Sequence, residues 1–398
     1  MTSYRNSDPR PPIMTGSPPK MPLPEWGWDR APFNRWSFQH VRECVPTVEV
    51  WRGDGPRRPL RRDERDLDAL PVEDIEGTPS TLATLFDQTY TDGFIVLKDG
   101  VVRYERYFNG MTERTLHLSQ SVAKSITSAA AGILVGRGLL DPARPVTDYL
   151  PELEQTAWRG ATLQHVLDMT TGVAFDETYT DPYSEMGQLD VACGWNPPPE
   201  GSDPSCDWPR NVWRLITSLT RTERPHGAEF VYRSIETDVL AFAMERVTGK
   251  RLPQIISEEL WQKLGVDESA CFTVDSAGYA LADGGFNATL RDYARFGQMI
   301  LDGGGGIVPA EWIETTRNGL HNPGFRVALP DGSYHNQFWI EDEKTRNLMC
   351  LGVFGQLIWI DFDRRTVIVK LSTWPDFLND QFSLATIRAC HRIAETFP

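Results

Sequence analysis

A serine and a lysine three positions apart, Ser121 and Lys124, form the pattern S-x-x-K. On a helix this spacing places both side chains on one face, where a hydroxyl and an amine can meet. A serine attacks only when a base takes its proton, and a lysine is a base only when its ammonium is destabilised. A helix N-terminus disfavours the ammonium and stabilises an oxyanion. The pair therefore predicts acyl transfer, although the pattern alone also fits a capping serine beside a solvated lysine.

The pattern around the pair indicates which elements position it. Apolar residues recur at helical spacing from about Ser119 until Gly136 and Gly138, which predicts a helix with Ser121 in its first turn. Before this helix, alternating apolar residues on either side of an Asp-Gly dipeptide predict a β-hairpin over residues 93–104.

The remaining chain predicts an α/β (α+β) fold. Residues 139–279 hold helical stretches separated by Pro- and Gly-rich loops, including 162–169 and 238–247. The later predicted elements are a helix over 290–301, strands over 356–361 and 366–372, and a final helix over 381–396. Strands, then helices, then strands and a helix indicate a mixed antiparallel sheet, flanked by helices and completed by both ends of the chain.

We predict a single catalytic domain that follows a short, flexible N-terminal segment. Residues 1–25 are rich in proline and polar groups, which predicts a flexible N-terminal segment. The domain would span residues 26–398, with an α/β lobe over 26–138 and 280–398 and a helical lobe over 139–279.

Composition excludes several classes of function. The chain has 55 acidic and 40 basic residues, a net charge of −15 that repels nucleic acid and anionic lipid alike. No apolar run is long enough for a membrane span, and no secretory signal follows the start, so we expect a cytoplasmic protein. Scattered cysteines and histidines show no ligand spacing, so we expect free thiols, no metal and no cofactor.

The residues around Ser121 resemble a known family. Three segments carry the resemblance: Leu118–Ser125 with the S-x-x-K motif, residues 138–151, and Thr162–Gly172. They are similar to the penicillin-recognising serine hydrolases, which include class C β-lactamases, DD-peptidases and related esterases. Within that family the likeness is strongest to the nylon-oligomer (6-aminohexanoate-dimer) hydrolases. It implies a β-lactamase/transpeptidase-like fold over residues 30–398 and a serine hydrolase forming an acyl-enzyme on Ser121.

The same resemblance implies further site residues. Tyr232, in the sequence Tyr232-Arg233-Ser234, stands where the family has Tyr-x-Asn, and would relay protons with Lys124. The family's Lys-Thr-Gly motif is degraded here to Cys350-Leu351-Gly352, which lacks the lysine. In this register the backbone N–H groups of Ser121 and Val353 form the oxyanion hole, and Gly352 lets substrate approach the strand edge.

Three more residues align with the family's substrate pocket. Tyr179 and Asp190 match positions that contact the scissile amide and a terminal ammonium in nylon-oligomer hydrolases. Asp283 lies where that family carries a polar pocket residue, and a second carboxylate would favour a cation further. Solvated loop acids are the ordinary alternative for both aspartates.

Several functions remain open at this stage. A hydrolase of short linear amides is the leading interpretation, and a carboxylesterase of the same fold is its nearest competitor. A β-lactamase or DD-peptidase is disfavoured by the missing lysine of the third motif, and a non-catalytic binding protein by the intact Ser121, Lys124 and Tyr232. We expect a small-molecule amide or ester as the partner, with a homodimer possible.

Overall fold

A computed structural model describes residues 27–202, 207–319 and 329–397 of the chain. The segment predicted to be flexible, residues 1–25, lies outside the described residues. The described strands are, in chain order, β1 (Thr47–Val50), β2 (Arg61–Arg62), β3 (Pro71–Glu73), β4 (Pro79–Thr81), β5 (Thr91–Lys98), β6 (Val101–Tyr107), β7 (His117–Leu118), β8 (Ala270–Thr273), β9 (Phe286–Ala288), β10 (Ser333–His335), β11 (Phe338–Ile340), β12 (Leu348–Gly352), β13 (Gln356–Asp361) and β14 (Thr366–Ser372).

The described residues also form helices along the chain. In chain order they are α1 (Asn34–Ser37), α2 (Val41–Cys44), α3 (Leu82–Gln88), α4 (Val122–Gly136), α5 (Val146–Tyr149), α6 (Leu163–Leu167), α7 (Glu185–Ala192), α8 (Val212–Ser218), α9 (Ile235–Thr248), α10 (Leu252–Ile256), α11 (Gln262–Leu264), α12 (Leu290–Leu301), α13 (Ala310–Asn318) and α14 (Asp380–Ala394). A 3₁₀ turn at Pro151–Gln155, a π turn at Ser257–Trp261 and a 3₁₀ turn at Val353–Gly355 complete the helical structure of these residues.

The main sheet of the described residues has the strand order β10-β11-β12-β13-β14-β5-β6-β2. Its strands pair antiparallel, except that β2 runs parallel to β6. Strands from the first third of the chain therefore pair with strands from its end, which confirms the predicted mixed sheet. The predicted hairpin is confirmed as β5 and β6, and β13 and β14 have the predicted bounds.

Both faces of the central strands are buried, and alternate side chains enter two different cores. In β5, Ile95 and Leu97 belong to the core that includes α4 and α12. Phe94 and Val96 belong to the core beneath α3 and α14. This double burial explains why the strands are near-continuous apolar runs in the sequence.

A second sheet, ordered β1-β8-β9-β7, leads the chain into α4. Its strand β8 falls inside residues 139–279, the range predicted for the helical lobe, and pairs with β1 and β9. The helix predicted to begin near Ser119 begins at Val122 instead. The reason is Gln120, whose φ of 50° is left-handed and keeps residues 119–121 in a turn.

Helix α4 lies in the centre of the molecule and is buried along most of its length. Its Gly132 faces the indole of Trp312, and a Cβ at this position would lie 2.5 Å from the indole Cγ. Only glycine allows this close approach, so the helix and α13 pack together without displacing the ring.

The turn between β10 and β11, Asn336–Gln337, holds α4 in place. Ser125 and Ser128 donate hydrogen bonds from their hydroxyls to the carbonyls of Gln337 (2.7 Å) and Asn336 (2.6 Å). The Gln337 side chain accepts from the Thr237 hydroxyl of α9 (2.7 Å) and donates to a main-chain carbonyl of α6 (2.9 Å). One turn of the sheet thus joins three helices.

Candidate active site

Ser121 lies at the junction between β7 and α4, one residue before the helix begins. The turn that presents it contains Gln120 in the left-handed region, a conformation that costs energy for a residue with a side chain. Ser121 is partly exposed and lines both cavities described below. The serine hydroxyl is therefore directed to solvent-accessible space rather than capping the helix, and it makes no capping hydrogen bond.

Lys124 lies beneath Ser121 and is 1 % exposed. Its Nζ donates to three acceptors, the Ser121 Oγ at 2.9 Å, the Ser234 Oγ at 3.1 Å and the Asp283 carbonyl at 2.7 Å. An ammonium has three N–H donors, and here each has a partner. The geometry fits a buried ammonium that is fully hydrogen-bonded.

Tyr232 meets this pair from the loop before α9. The Lys124 Nζ lies 5.2 Å from the centroid of its ring, on the ring face. The ring stacks on Trp339 with centroids 5.6 Å apart. The neighbouring Arg233 fixes the loop, because its guanidinium donates to the Thr171 carbonyl at 3.0 Å and to Glu223 at 2.7 Å. The predicted alcohol, amine and phenol thus converge, across more than a hundred positions of sequence.

The charge of Lys124 differs from the sequence-based expectation. Burial by itself lowers the pKa of this amine, but Tyr232, Asp283 and Glu177 outweigh it, and the net pKa is raised. The Asp283 carboxylate lies 3.8 Å from Nζ. We expected the helix N-terminus to favour the neutral amine. The raised pKa runs against that expectation, because Tyr232 and then the two carboxylates favour the ammonium.

Glu177 is a site residue that the sequence reasoning missed. Its carboxylate accepts from the Ser234 hydroxyl at 2.5 Å and from the Ser234 backbone N–H at 2.9 Å. It also accepts from the Tyr179 hydroxyl at 3.0 Å. Burial raises the pKa of Glu177, although Lys124 and Ser234 oppose the rise. Ser234, which replaces the family's asparagine, thus links Lys124 to a carboxylate.

The third motif lies beside Ser121, as the proposed register requires. A Cβ on Gly352 would lie 2.4 Å from the Ser119 carbonyl oxygen, so only glycine lets the end of β12 approach the serine turn this closely. The next residue, Val353, lines both cavities together with Ser121. This arrangement is compatible with an oxyanion hole made of the Ser121 and Val353 N–H groups.

Two cavities of unequal size meet at Ser121. The larger, about 510 Å³, extends between β12, β13 and α14, and we call it the apolar chamber. Its walls include Trp339, Leu351, Trp374, Phe377 and Ile387. The smaller, about 20 Å³, has room for little more than one water molecule, and we call it the polar compartment. Asp190, Ser234 and Asp283 are among its walls, and Tyr179 borders both cavities.

The predicted pocket aspartates both lie in the polar compartment, but each already has a cationic neighbour. Asp283 is 4 % exposed and faces Lys124. Asp190, on α7, lies 3.4 Å from the guanidinium of Arg30. Burial and the nearby Asp29 raise the pKa of Asp190 to about 8, although Arg30 opposes the rise. The pairing of Asp190 with Arg30 had no signal in the sequence pattern.

Other site types find no support in the part of the chain that the structure describes. Residues 27–202, 207–319 and 329–397 contain no group of three potential metal ligands. Within these ranges no helix is both long and apolar enough to cross a bilayer. The described cysteines, Cys44, Cys193, Cys271, Cys350 and Cys390, are free thiols.

An S-x-x-K pair with a buried lysine under a tyrosine ring, beside a mixed sheet with helices on both faces, has clear counterparts among known proteins. The Beta-lactamase family model matches residues 82–391, and the chain belongs to this family of serine hydrolases.

Two relatives extend over nearly the whole chain. The 6-aminohexanoate-dimer hydrolase of Paenarthrobacter ureafaciens is 39 % identical over 362 residues, covering 88 % of each protein. A solved structure from Bacillus anthracis, assigned as a 6-aminohexanoate-dimer hydrolase, has a TM-score of 0.86 at 30 % identity and covers 96 % of this chain and 100 % of its own. An esterase of Burkholderia gladioli is 26 % identical over 230 residues, 52 % of this chain and 55 % of its own. These relatives support serine hydrolase activity on amides and esters.

Proposed function

We propose that this chain hydrolyses short linear amides, such as 6-aminohexanoate oligomers, through an acyl-enzyme on Ser121, and that it also cleaves esters. The observation that carries the proposal is the 2.9 Å hydrogen bond between the Lys124 Nζ and the Ser121 Oγ, beneath the ring of Tyr232. A nucleophile, a buried cation and a phenol at the opening of a cleft are the groups that acyl transfer requires.

In the proposed reaction Tyr232 carries the proton. Because neighbouring groups raise the pKa of Lys124, we assign this residue the role of a cation beside Ser121 and give the proton transfer to Tyr232. The Ser121 proton passes to the Tyr232 oxygen as Oγ attacks the acyl carbon, and the ammonium stabilises the phenolate form that accepts it. The Ser121 and Val353 N–H groups hold the oxyanion of the tetrahedral intermediate.

The same groups complete the cycle in reverse. Tyr232 returns its proton to the departing amine or alcohol, which leaves the acyl group on Ser121. A water molecule then gives a proton to Tyr232 and attacks the acyl carbon, and Tyr232 passes this proton to the Ser121 Oγ as the acid product leaves. Every proton that enters Tyr232 also leaves it, so the cycle returns each group to its starting state.

Labelling the nucleophile tests the proposal. A fluorophosphonate probe is expected to label wild type and to add one probe mass, whereas Ser121→Ala takes up none. Ser128→Ala is the matched control, because this serine lies on the same helix but donates its hydroxyl to the Asn336 carbonyl. Equal labelling of Ser121→Ala and wild type would disprove the proposal, and an unlabelled wild type would favour a non-catalytic binding protein.

A carboxylesterase is the second candidate, and the apolar chamber favours it. A cavity of about 510 Å³ walled by Trp339, Trp374 and Phe377 suits an aliphatic or aromatic group better than a peptide-like chain. Comparing kcat/KM for the 6-aminohexanoate dimer with that for p-nitrophenyl acetate separates the two. Ester cleavage with no amide cleavage would select the esterase.

The partner, the cellular location and the oligomeric state of the enzyme are further parts of the proposal. We propose a small-molecule substrate as its partner and the cytoplasm as its location, because the described thiols are unpaired, as is usual in a reducing compartment. A homodimer stays a prediction, and light scattering on the purified chain measures it.

A further inference from the structure

The guanidinium of Arg30 occupies a position that is built to receive a cation. It lies 3.4 Å from the Asp190 carboxylate and 3.4 Å from the Tyr179 carbonyl oxygen. Its Cζ lies 5.0 Å from the centroid of the Phe377 ring, on the ring face. A carboxylate, a carbonyl and an aromatic face together are the groups by which proteins bind ammonium and guanidinium ligands.

The segment that carries Arg30 is held firmly in place. The Trp28 indole donates to the Trp195 carbonyl at 2.8 Å, and the Asn34 side chain donates to the Trp374 carbonyl at 2.9 Å. The Arg30 carbonyl in turn accepts from the Asn34 N–H at 2.9 Å. Anchors on both sides of Arg30 therefore fix its backbone beside the cleft.

The walls around this guanidinium carry three carboxyl groups that are buried or partly buried. Asp29 is 3 % exposed and its Oδ1 has no hydrogen-bond partner. Asp283 is also buried, and its Oδ1 likewise has none. Together with Asp190 they make three acids, and Arg30 pairs with Asp190. Without Arg30, these carboxyl groups would be left to pair with another cation, which would favour their ionised form.

We propose that Arg30 is a specificity-determining residue that takes the place of a substrate's cationic end, so that the enzyme cleaves amides and esters with an uncharged acyl chain faster than 6-aminohexanoate oligomers, whose acyl end is an ammonium. The polar compartment, about 20 Å³, has no room for a six-carbon ammonium chain while Arg30 holds Asp190. The apolar chamber, about 510 Å³, has room for an uncharged chain. This inference rests on the proposed function of Ser121.

Two esters that share a leaving group and differ at the end of the acyl chain test the inference. They are p-nitrophenyl hexanoate, which is neutral, and p-nitrophenyl 6-aminohexanoate, which is cationic. Wild type is expected to favour the neutral ester. Arg30→Met, which keeps the length of the side chain, is expected to raise the cationic-to-neutral ratio of kcat/KM about tenfold, with the neutral ester changed less than about twofold.

Further variants locate the effect. Arg30→Lys keeps the charge and is expected to keep the wild-type ratio. Adding Asp190→Asn to Arg30→Met is expected to abolish the gain for the cationic ester. Arg144→Ala is the matched control, because this arginine pairs with Asp148 on the exposed helical side. If Arg30→Met fails to fold, hexylammonium inhibition of wild type decides, and strong competitive inhibition would overturn the inference.

The outcomes separate the two proposals. A wild type that hydrolyses neither ester would disprove the proposed function itself. Hydrolysis of the neutral ester through Ser121, with an unchanged ratio in Arg30→Met, would overturn the role of Arg30 and leave the hydrolase intact.

Discussion

Lys124 and Lys370 are two lysines in the same molecule with equal burial and opposite electrostatics. Each is 1 % exposed. Burial, opposed in part by Asp92, lowers the pKa of Lys370 to about 7, whereas the pKa of Lys124 is raised by Tyr232, Asp283 and Glu177 despite burial. The charge of a buried amine is therefore decided by its neighbours and not by its depth.

The neighbours of Lys370 explain its lowered pKa. Its Nζ donates to the Thr89 carbonyl at 3.3 Å and to the Ser372 hydroxyl, which are both uncharged. Asp92 is the nearby carboxylate, but Arg35 already binds it at 2.8 Å. Among the residues that the structure describes, Lys370 therefore has no unpaired carboxylate to favour its ammonium form. Lys124, in contrast, has Tyr232, Asp283 and Glu177 around it, which favour its ammonium form.

The largest effect on activity is expected from removing the proposed catalytic groups, which include Lys124 but not Lys370. Lys124→Met and Tyr232→Phe are each expected to lower kcat about a thousandfold for both amides and esters, since one loses the cation and the other the proton carrier. Initial rates under saturating substrate measure the change. Tyr334→Phe is the control, because this buried tyrosine packs against Tyr232 but its hydroxyl has no hydrogen-bond partner. Full activity in Tyr232→Phe would remove the phenol from the mechanism.

A smaller effect is expected from a variant that lowers the pKa of Lys124, as the pKa of Lys370 is lowered. Glu177→Gln removes one of the acids that raise the pKa of Lys124, so the ammonium is expected to lose its proton at lower pH. The alkaline limb of the kcat/KM profile then shifts to lower pH, and kcat falls about tenfold. Glu185→Gln is the control, as this acid, the first residue of α7, accepts from the Asp176 backbone N–H and is absent from the groups that raise the Lys124 pKa. An alkaline limb that stays in place would show that Glu177 has no influence on Lys124.

The smallest effect is on stability. Because the folded pKa of Lys370 is about 7 and its ordinary value is 10.5, the unfolded chain holds more protons between these values, and stability rises with pH there. The rise from this group is at most about 1.4 kcal/mol per pH unit. Lys370→Met is expected to lack it, as measured by urea unfolding across this range. Parallel pH dependences in wild type and variant would contradict the lowered pKa.

Much of the fold could be predicted because its elements carry local signals. The bounds of α12, β13 and β14 are visible in apolar periodicity alone, and the hairpin of β5 and β6 in its Asp-Gly turn. The start of α4 was misplaced by three residues because the left-handed Gln120 leaves no trace in hydrophobic spacing.

The site was only partly predictable, for a different reason. Ser121 and Lys124 share a local motif, and Tyr232 was found through family resemblance. Glu177 lies in a loop without periodicity, where nothing separates it from solvated acids. The charge of Lys124 and the pairing of Arg30 with Asp190 depend on contacts between distant segments, which no window of sequence contains.

The Asn336–Gln337 turn affects how cooperatively the protein unfolds. Serines of α4, a threonine of α9 and the backbone of α6 all depend on this one corner of the sheet for their partners. Opening the corner would leave several buried donors and acceptors unpaired at once, on both sides of the cleft. The helical region is therefore expected to unfold together with the sheet, so that calorimetry of the whole chain gives a single heat-absorption peak.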